Sequence, residues 1–183
     1  MQRLLLVDMD GVLCAYNEKL IDAGVVRPEQ LTSERWKDSE LSPEHKEKIR
    51  NMISSPGFFA DLKPIEGAIS SLQALLISDW NVYLCSRPPK SRYAWNEKYE
   101  WVLRHCPFLS ERLILTTSKS VIRGDVFIDD SLQALKEWCG QQKILLQTNP
   151  MLRYECIPNG VSHFTSWPRL LRHLQDSELK RLP

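Results

Sequence analysis

The sequence contains no apolar run long enough to cross a membrane, which takes about 20 consecutive apolar residues. Its first apolar run covers residues 4–7 and stops at Asp8, and so short a run is not typical of a signal peptide. The formal net charge is only +1 at pH 7, so no strong overall field favours a nucleic acid or an anionic membrane. We therefore expect no nucleic-acid polymer and no membrane among the partners.

The sequence also lacks a CxxC pair, histidines at metal-ligand spacing, internal repeats and low-complexity tracts. The five cysteines are an odd number, and reduced thiols in a cytoplasmic protein are their simplest interpretation. With 183 residues, 43% of them hydrophobic and 26% charged, the chain has the composition of one globular domain with room for a small insertion. The sequence is compatible with a homodimer.

Short apolar runs alternate along the chain with longer segments of helical spacing. The predicted strands are residues 3–8, 80–85, 112–116, 125–129 and 143–147. Among the helices, residues 93–105 are predicted to bury Trp95, Tyr99 and Val102. Buried strands that alternate with helices predict an α/β fold, a Rossmann-like parallel sheet with helices on both faces.

Residues 17–57 interrupt this alternation, because they are polar and contain no convincing strand. Their best helix candidate is 43–53. We interpret the segment as a small helical cap inserted after the first strand, so that residues 1–16 and 58–183 form the core domain.

Polar side chains that suit catalysis follow the predicted strands, and parallel strands bring such positions to one edge of the sheet. The set comprises Asp8 and Asp10 after the first strand, Ser86 and Arg87 after the second, Thr116, Thr117 and Lys119 after the third, and Asp129 and Asp130 at the end of the fourth.

Such a cluster of carboxylates needs an opposing charge. Two carboxylates about 4 Å apart repel by about 4 kcal/mol at an effective dielectric of about 20. Ligands that are all oxygen indicate a hard cation, and Mg²⁺ characteristically takes one or two carboxylates. A lysine and a hydroxyl would hold an anion beside the metal. Metal, lysine and hydroxyl together indicate a phosphoryl-transfer site.

Asp8 and Asp10 suit two different tasks in such a site. On an extended chain residues i and i+2 point the same way, so both carboxylates can share one site. One can attack phosphorus, while the other donates a proton to the leaving oxygen and later accepts one from water.

The segment Asp8-Met9-Asp10-Gly11-Val12 resembles the DxDx[TV] motif of the haloacid dehalogenase (HAD) phosphatase superfamily. Ser86, Lys119 and the pair Asp129-Asp130 follow in the order of that superfamily's other motifs. The likeness extends to the 5′(3′)-deoxyribonucleotidases. It rests on the blocks VDMDGVL (7–13), PGFFADLKPIEGA (56–68), EKYEWV (97–102), LILTTSKSVIRGDVFIDD (113–130) and Ser166-Trp167.

The resemblance implies a fold, a reaction and a role for each matching residue. Asp8 would be the nucleophile that forms an aspartyl-phosphate, and Asp10 the general acid and base. Ser86 and Lys119 would bind the phosphate. Mg²⁺ would be held by Asp8, by Asp130 and by the backbone carbonyl of Asp10. Asp129 would lie beside these ligands without binding the metal directly, or would be an alternate ligand. The substrate would be a nucleoside monophosphate.

The cap would close over the nucleoside. Tyr16 matches a family aromatic that packs on the base, and Trp36 lies near a second one. Phe58 is a further candidate for the pocket lining. The chain departs from the family at Arg87, which replaces a small hydroxyl residue and would add a phosphate contact or turn outward, and at Ile53, where vertebrate members carry an aromatic residue.

Other functions are compatible with parts of the pattern. The first is a HAD phosphatase for another small phosphomonoester, such as a sugar phosphate. The second is a phospho-acceptor switch of the receiver-domain type, which is phosphorylated without turnover. The third is a catalytically dead binding protein, which the complete set of acids and Lys119 disfavours.

Overall fold

A six-stranded parallel sheet forms the centre of the protein in the computed structural model, which describes residues 2–30, 41–150, 154 and 156–179. The strands lie in the order β3-β2-β1-β4-β5-β6. They are β1 (Leu4–Val7), β2 (Asn81–Ser86), β3 (Leu113–Leu115), β4 (Val126–Asp129), β5 (Gln142–Leu146) and β6 (Val161–Phe164).

In the described residues, six α-helices lie between these strands or after the last one. They are α1 (Tyr16–Asp22), α2 (Pro43–Ile53), α3 (Ala68–Ile77), α4 (Ala94–His105), α5 (Leu132–Glu137) and α6 (Trp167–Leu179). Short 3-10 turns occupy Pro28–Gln30, Pro107–Arg112 and Lys119–Val121.

Two apolar cores lie on opposite faces of the sheet, because alternate residues of a strand point to opposite sides. Leu5 and Val7 pack into the larger core with α3, α4 and α6, whereas Leu6 packs into the smaller core with α5. The predicted Rossmann-like α/β fold is thereby confirmed.

Five of the six strands were predicted close to their observed bounds, but β6 was not. Its sequence, Val-Ser-His-Phe, is only four residues long and has no alternation of apolar and polar residues, and none of the four is fully buried. An edge strand of this kind gives little signal, because one side of it lacks a neighbouring strand.

The predicted inner face of α4 is partly wrong. Val102 is buried as expected, but Trp95 and Tyr99 are 40% and 43% exposed. The helix instead turns Glu97 and Lys98 inward. The prediction failed because it assigned charged residues to the solvent, whereas these two have polar partners inside the protein.

In the predicted cap segment, helix α2 begins and ends at the residues that the pattern indicated, 43 and 53. Its start is capped by Ser42, whose hydroxyl accepts the N–H of His45. The division into core and cap domains stays a prediction. Within the described residues, no helix is long and apolar enough to span a membrane.

Candidate active site

In the turn after β1, the apolar residue Met9 lies between two acidic residues, Asp8 and Asp10. The N–H of Asp8 continues the sheet by donating to the carbonyl of Ile128 at 2.9 Å. Met9 is fully buried, and its carbonyl accepts the N–H groups of Leu13 and Cys14, each at 2.8 Å. The turn therefore anchors Met9 in the core between the two acidic residues.

Lys119 lies between two carboxylates at the carboxyl end of the sheet. Its Nζ is 2.6 Å from Oδ1 of Asp8 and 2.7 Å from Oδ2 of Asp129. Burial alone would lower the pKa of Lys119, but Asp129 and Asp8 outweigh burial and raise it. The lysine is therefore a fixed positive charge beside Asp8.

Asp129 is also fixed by the backbone. Its Oδ1 accepts the N–H of Ser131 at 2.8 Å, and the residue is 1% exposed. Ser131 in turn caps α5 by accepting the N–H of Ala134. The start of a helix thereby sets the position of a site carboxylate.

A third carboxylate completes a potential metal site. Oxygen atoms of Asp8, Asp129 and Asp130 lie within 4.8 Å of one another. The hydroxyl of Tyr154 donates to the carbonyl of Asp130. Gly11 passes so close that a β-carbon there would lie 2.0 Å from Oδ2 of Asp130. Three oxygen donors suit a hard divalent cation, so this chain's own residues fit the Mg²⁺ that the resemblance implies.

Ser86 ends β2 at the same edge of the sheet. It is 1% exposed, and its Oγ has no hydrogen-bond partner in the described part of the chain. A buried hydroxyl without a partner is costly, and a phosphate oxygen bound here would supply the missing partner. Arg87 follows directly and is half-buried.

Asp10 has a partner that the sequence analysis did not predict. Lys98 of α4 donates from Nζ to Oδ1 of Asp10 at 2.6 Å, and the lysine is only 1% exposed. Burial raises the pKa of Asp10, Lys98 opposes that rise, and the charge of Asp8 adds to it. A carboxyl group with a raised pKa suits the acid role inferred from the motif.

A signal for Lys98 was present in the sequence. Ala94, Lys98 and Val102 are spaced by four residues, so they share one face of the helix, and the two apolar residues are buried. A lysine on an apolar face is almost never buried unless it is paired. The partner itself lies 88 positions away, which local spacing does not indicate.

Three aromatic residues that flank the predicted cap segment in the sequence pack against one another. Tyr16 contacts Phe58 edge-on at 5.6 Å between centroids and stacks on Phe59 at 6.3 Å. Phe58 is only 2% exposed, whereas Tyr16 is half-buried. Trp36 lies outside the described residues.

Trp167, the first residue of α6, holds the turn after β1 through a hydrogen bond. It is fully buried, and its Nε1 donates to the carbonyl of Val12 at 2.8 Å. The structure thus brings together Asp8, Lys119, Asp129 and Asp130, with Ser86 at the same sheet edge and Asp10 next to Lys98.

The family model for 5′ nucleotidase, deoxy (pyrimidine), cytosolic type C proteins matches residues 2–167. The chain belongs to this 5′(3′)-deoxyribonucleotidase family. The human cytosolic-type 5′(3′)-deoxyribonucleotidase is 32% identical over 195 aligned positions, which cover 94% of this chain and 93% of the relative. The human mitochondrial 5′(3′)-deoxyribonucleotidase is 33% identical over 138 positions, or 68% of this chain and 60% of the relative.

Solved structures support the fold of this deoxyribonucleotidase family member. A HAD family hydrolase from Deinococcus radiodurans, with bound phosphate and sodium, has a TM-score of 0.61 at 14% identity, covering 97% of each chain. A D,D-heptose 1,7-bisphosphate phosphatase from B. bronchiseptica, complexed with magnesium and phosphate, has a TM-score of 0.56 at 13% identity, covering 97% of this chain and 99% of that one. The protein is therefore a HAD-fold phosphoric monoester hydrolase with nucleotide phosphatase activity.

Proposed function

We propose that this protein is a Mg²⁺-dependent nucleotidase that hydrolyses deoxyribonucleoside or ribonucleoside 5′- or 3′-monophosphates to a nucleoside and phosphate. The observation that carries the proposal is the placement of Lys119, 2.6 Å from Asp8 and 2.7 Å from Asp129. This pairing keeps a carboxylate available as a nucleophile in a buried site, because the lysine offsets its charge.

Asp8 is the residue that we assign to attack phosphorus. One Asp8 oxygen forms a bond to phosphorus while the bond from phosphorus to the nucleoside oxygen breaks, which leaves an aspartyl-phosphate. Lys119 and the unpartnered hydroxyl of Ser86 bind the phosphoryl oxygens. They act through charge and hydrogen bonds on oxygens that gain negative charge during the transfer.

Asp10 is assigned as the general acid and base. In the first half of the reaction it donates its proton to the leaving nucleoside oxygen. In the second half it accepts a proton from the water that attacks the aspartyl-phosphate, which releases phosphate and restores Asp8. The raised pKa of Asp10, caused mainly by burial, helps its protonated form to be present at the start.

The residues that would hold the metal are Asp8, Asp130 and the carbonyl of Asp10, with Asp129 beside them or as an alternate ligand. Support comes from the spacing of the three carboxylates, within 4.8 Å of one another. A bound Mg²⁺ would supply positive charge against the phosphoryl oxygens.

Nucleoside recognition is assigned to the side of the site that faces the cap segment. Tyr16 is half-buried next to Phe58, which suits an aromatic contact with a base at Tyr16. Phe58 packs behind it, and Trp36 is a further candidate. Arg87 follows the phosphate-binding Ser86 and is assigned a contact with the phosphate.

The human relative in which the match covers nearly the whole chain is of the cytosolic type, and we infer a cytoplasmic location for this protein as well. A homodimer stays a prediction.

The experiment is a phosphate-release assay on purified protein with deoxy- and ribonucleoside monophosphates, each as 5′ and 3′ isomers. Sugar phosphates serve as the competing class. We expect turnover of at least one nucleotide series, loss of activity in EDTA and recovery with Mg²⁺. A kcat/KM that is much higher for sugar phosphates than for every nucleotide would overturn the nucleotide assignment. Phosphorylation that stops after one event would indicate a switch.

A further inference from the structure

Two consecutive residues of α4 point into the protein and bind different elements. Glu97 is 6% exposed, and its two carboxylate oxygens accept the N–H groups of Gly57 and Phe59 at 2.6 Å and 3.0 Å. Lys98 is 1% exposed and donates to Oδ1 of Asp10 at 2.6 Å. The helix therefore joins the segment that follows α2 to the residue assigned as general acid.

Phe59 connects these two contacts. Its backbone N–H is held by Glu97, and its ring lies 4.5 Å from Nζ of Lys98. A cation over an aromatic face is attracted to it, so the ring helps to fix the ammonium group beside Asp10. Phe59 is itself 2% exposed and packs against Phe58 with ring centroids 5.0 Å apart.

The same helix holds this segment at two further points. Nε1 of Trp101 donates to the carbonyl of Leu62 at 2.7 Å, and Arg104 donates to the carbonyl of Ala60 at 3.0 Å. With four hydrogen bonds from side chains of α4 to its backbone, the segment 57–62 is a firm support for Phe59.

A general acid has to present one particular oxygen to the leaving group. Lys98 occupies Oδ1 of Asp10 with a short charge-assisted hydrogen bond. Oδ2 is then the oxygen left to carry the transferred proton. We infer that Lys98 is a positioning residue for this reaction, which fixes the Asp10 carboxyl group so that Oδ2 faces the leaving oxygen, and that Glu97 keeps Lys98 in place through Phe59.

This inference rests on the proposed role of Asp10, and leaving groups of different basicity test it. A nucleoside alkoxide needs a proton in order to leave, whereas p-nitrophenolate leaves without one. Replacement Lys98→Met keeps the apolar stem but removes the donor. The ratio kcat/KM reports only the steps up to the departure of the leaving group, before the hydrolysis that both substrates share. Since general acids contribute about 10²–10⁴-fold, we expect kcat/KM for a deoxynucleotide to fall at least about tenfold and kcat/KM for p-nitrophenyl phosphate to fall less than about threefold.

The matched control is Lys19→Met. Lys19 donates to the carbonyl of Phe58 at 2.7 Å, and its Nζ lies 4.9 Å from the centroid of the Phe58 ring. It thus supports the same segment without a described contact to Asp10. We expect its removal to leave the ratio of the two kcat/KM values within about twofold of wild type, because the acid stays in place.

Two further measurements separate positioning from direct phosphate binding. If Lys98 acts through Asp10, adding Lys98→Met to Asp10→Asn causes no further loss on the deoxynucleotide, and inhibition by inorganic phosphate is unchanged in Lys98→Met. Equal losses of kcat/KM on both substrates, or weaker inhibition by phosphate, would overturn the inference. Wild-type turnover of the deoxynucleotide in the same assay reports separately on the proposed function. Thermal unfolding of each variant shows that it is folded.

Discussion

Gly11 and Asp130 lie so close together that a side chain at residue 11 would have to displace the carboxylate of Asp130. A β-carbon at this glycine would be 2.0 Å from Oδ2 of Asp130, and the backbone there has φ 76°. The turn that carries Asp8 and Asp10 therefore also determines where the potential metal ligand Asp130 can lie.

Gly11→Ala should displace Asp130 and reduce activity about a hundredfold, since catalytic geometry tolerates little displacement. The control is Gly24→Ala, because Gly24 also has positive φ, 65°, but would have no atom within 4 Å of a new β-carbon. Both variants should lose about 1–2 kcal/mol of unfolding free energy through backbone strain. Equal activity in the two variants would show that the Asp130 contact does not matter. Kinetic assays and urea unfolding measure both effects.

Lys119→Met should lower the unfolding free energy by about 3–5 kcal/mol at pH 8, because it leaves two buried carboxylates unpaired. In the folded protein the pKa of Lys119 is raised above 10.5 by Asp129 and Asp8. Its stabilising effect is therefore fully present below about pH 10.5 and is lost as the pH rises through the folded-state value.

Urea unfolding at a series of pH values from 8 upward checks this prediction. The difference between wild type and Lys119→Met should be constant up to about pH 10 and shrink above that. Lys136→Met, at an exposed lysine of α5, is the control and should cost less than about 0.5 kcal/mol. A difference that grows with rising pH would contradict the assigned direction of the shift.

Glu97→Gln should lower the unfolding free energy by about 2–3 kcal/mol. Both oxygens of Glu97 accept backbone N–H groups, and an amide nitrogen in place of one oxygen would face a donor instead of accepting it. Glu100 of the same helix is exposed and bonds to Asn96, so Glu100→Gln should cost less than about 0.5 kcal/mol. Similar losses in the two variants would mean that the segment from Gly57 to Phe59 is not held as described.

Alkylation should distinguish two groups of cysteines. Cys139 and Cys156 are exposed, while Cys14, Cys85 and Cys106 are buried. Burial raises the pKa of Cys85 and of Cys106 to about 12, so these thiols stay protonated and unreactive at pH 8.5. Mass spectrometry after iodoacetamide treatment should find adducts at the two exposed positions in the native protein and at all five cysteines after unfolding in urea. A native adduct at Cys14 would indicate that the turn after β1 opens.

The sequence was most informative where function depends on residues at the ends of strands. Asp8, Lys119 and Asp129 were predicted to lie together, and they do, because parallel strands bring their carboxyl ends to one edge. Lys98 was missed since its pairing with Asp10 joins residues far apart in the sequence.

Hydrophobic spacing was less reliable on α4 and at the edge of the sheet. Trp95 and Tyr99 were expected inside, but buried polar contacts of Glu97 and Lys98 turn the helix and leave both rings exposed. Strand β6 was not found because its four residues are only partly buried. In both places the tertiary contacts, which local spacing does not contain, decided the structure.

The most direct measurement of the central claim is to trap the phosphorylated residue during turnover. The reaction is quenched, the acyl phosphate is reduced with borohydride, and the peptide that contains residues 4–19 is sequenced by mass spectrometry. We predict homoserine at position 8 in the wild-type protein, and neither this product nor phosphate release in a folded Asp8→Asn variant. Reduction at another aspartate, or near-wild-type turnover by Asp8→Asn, would contradict the assignment of Asp8 as nucleophile.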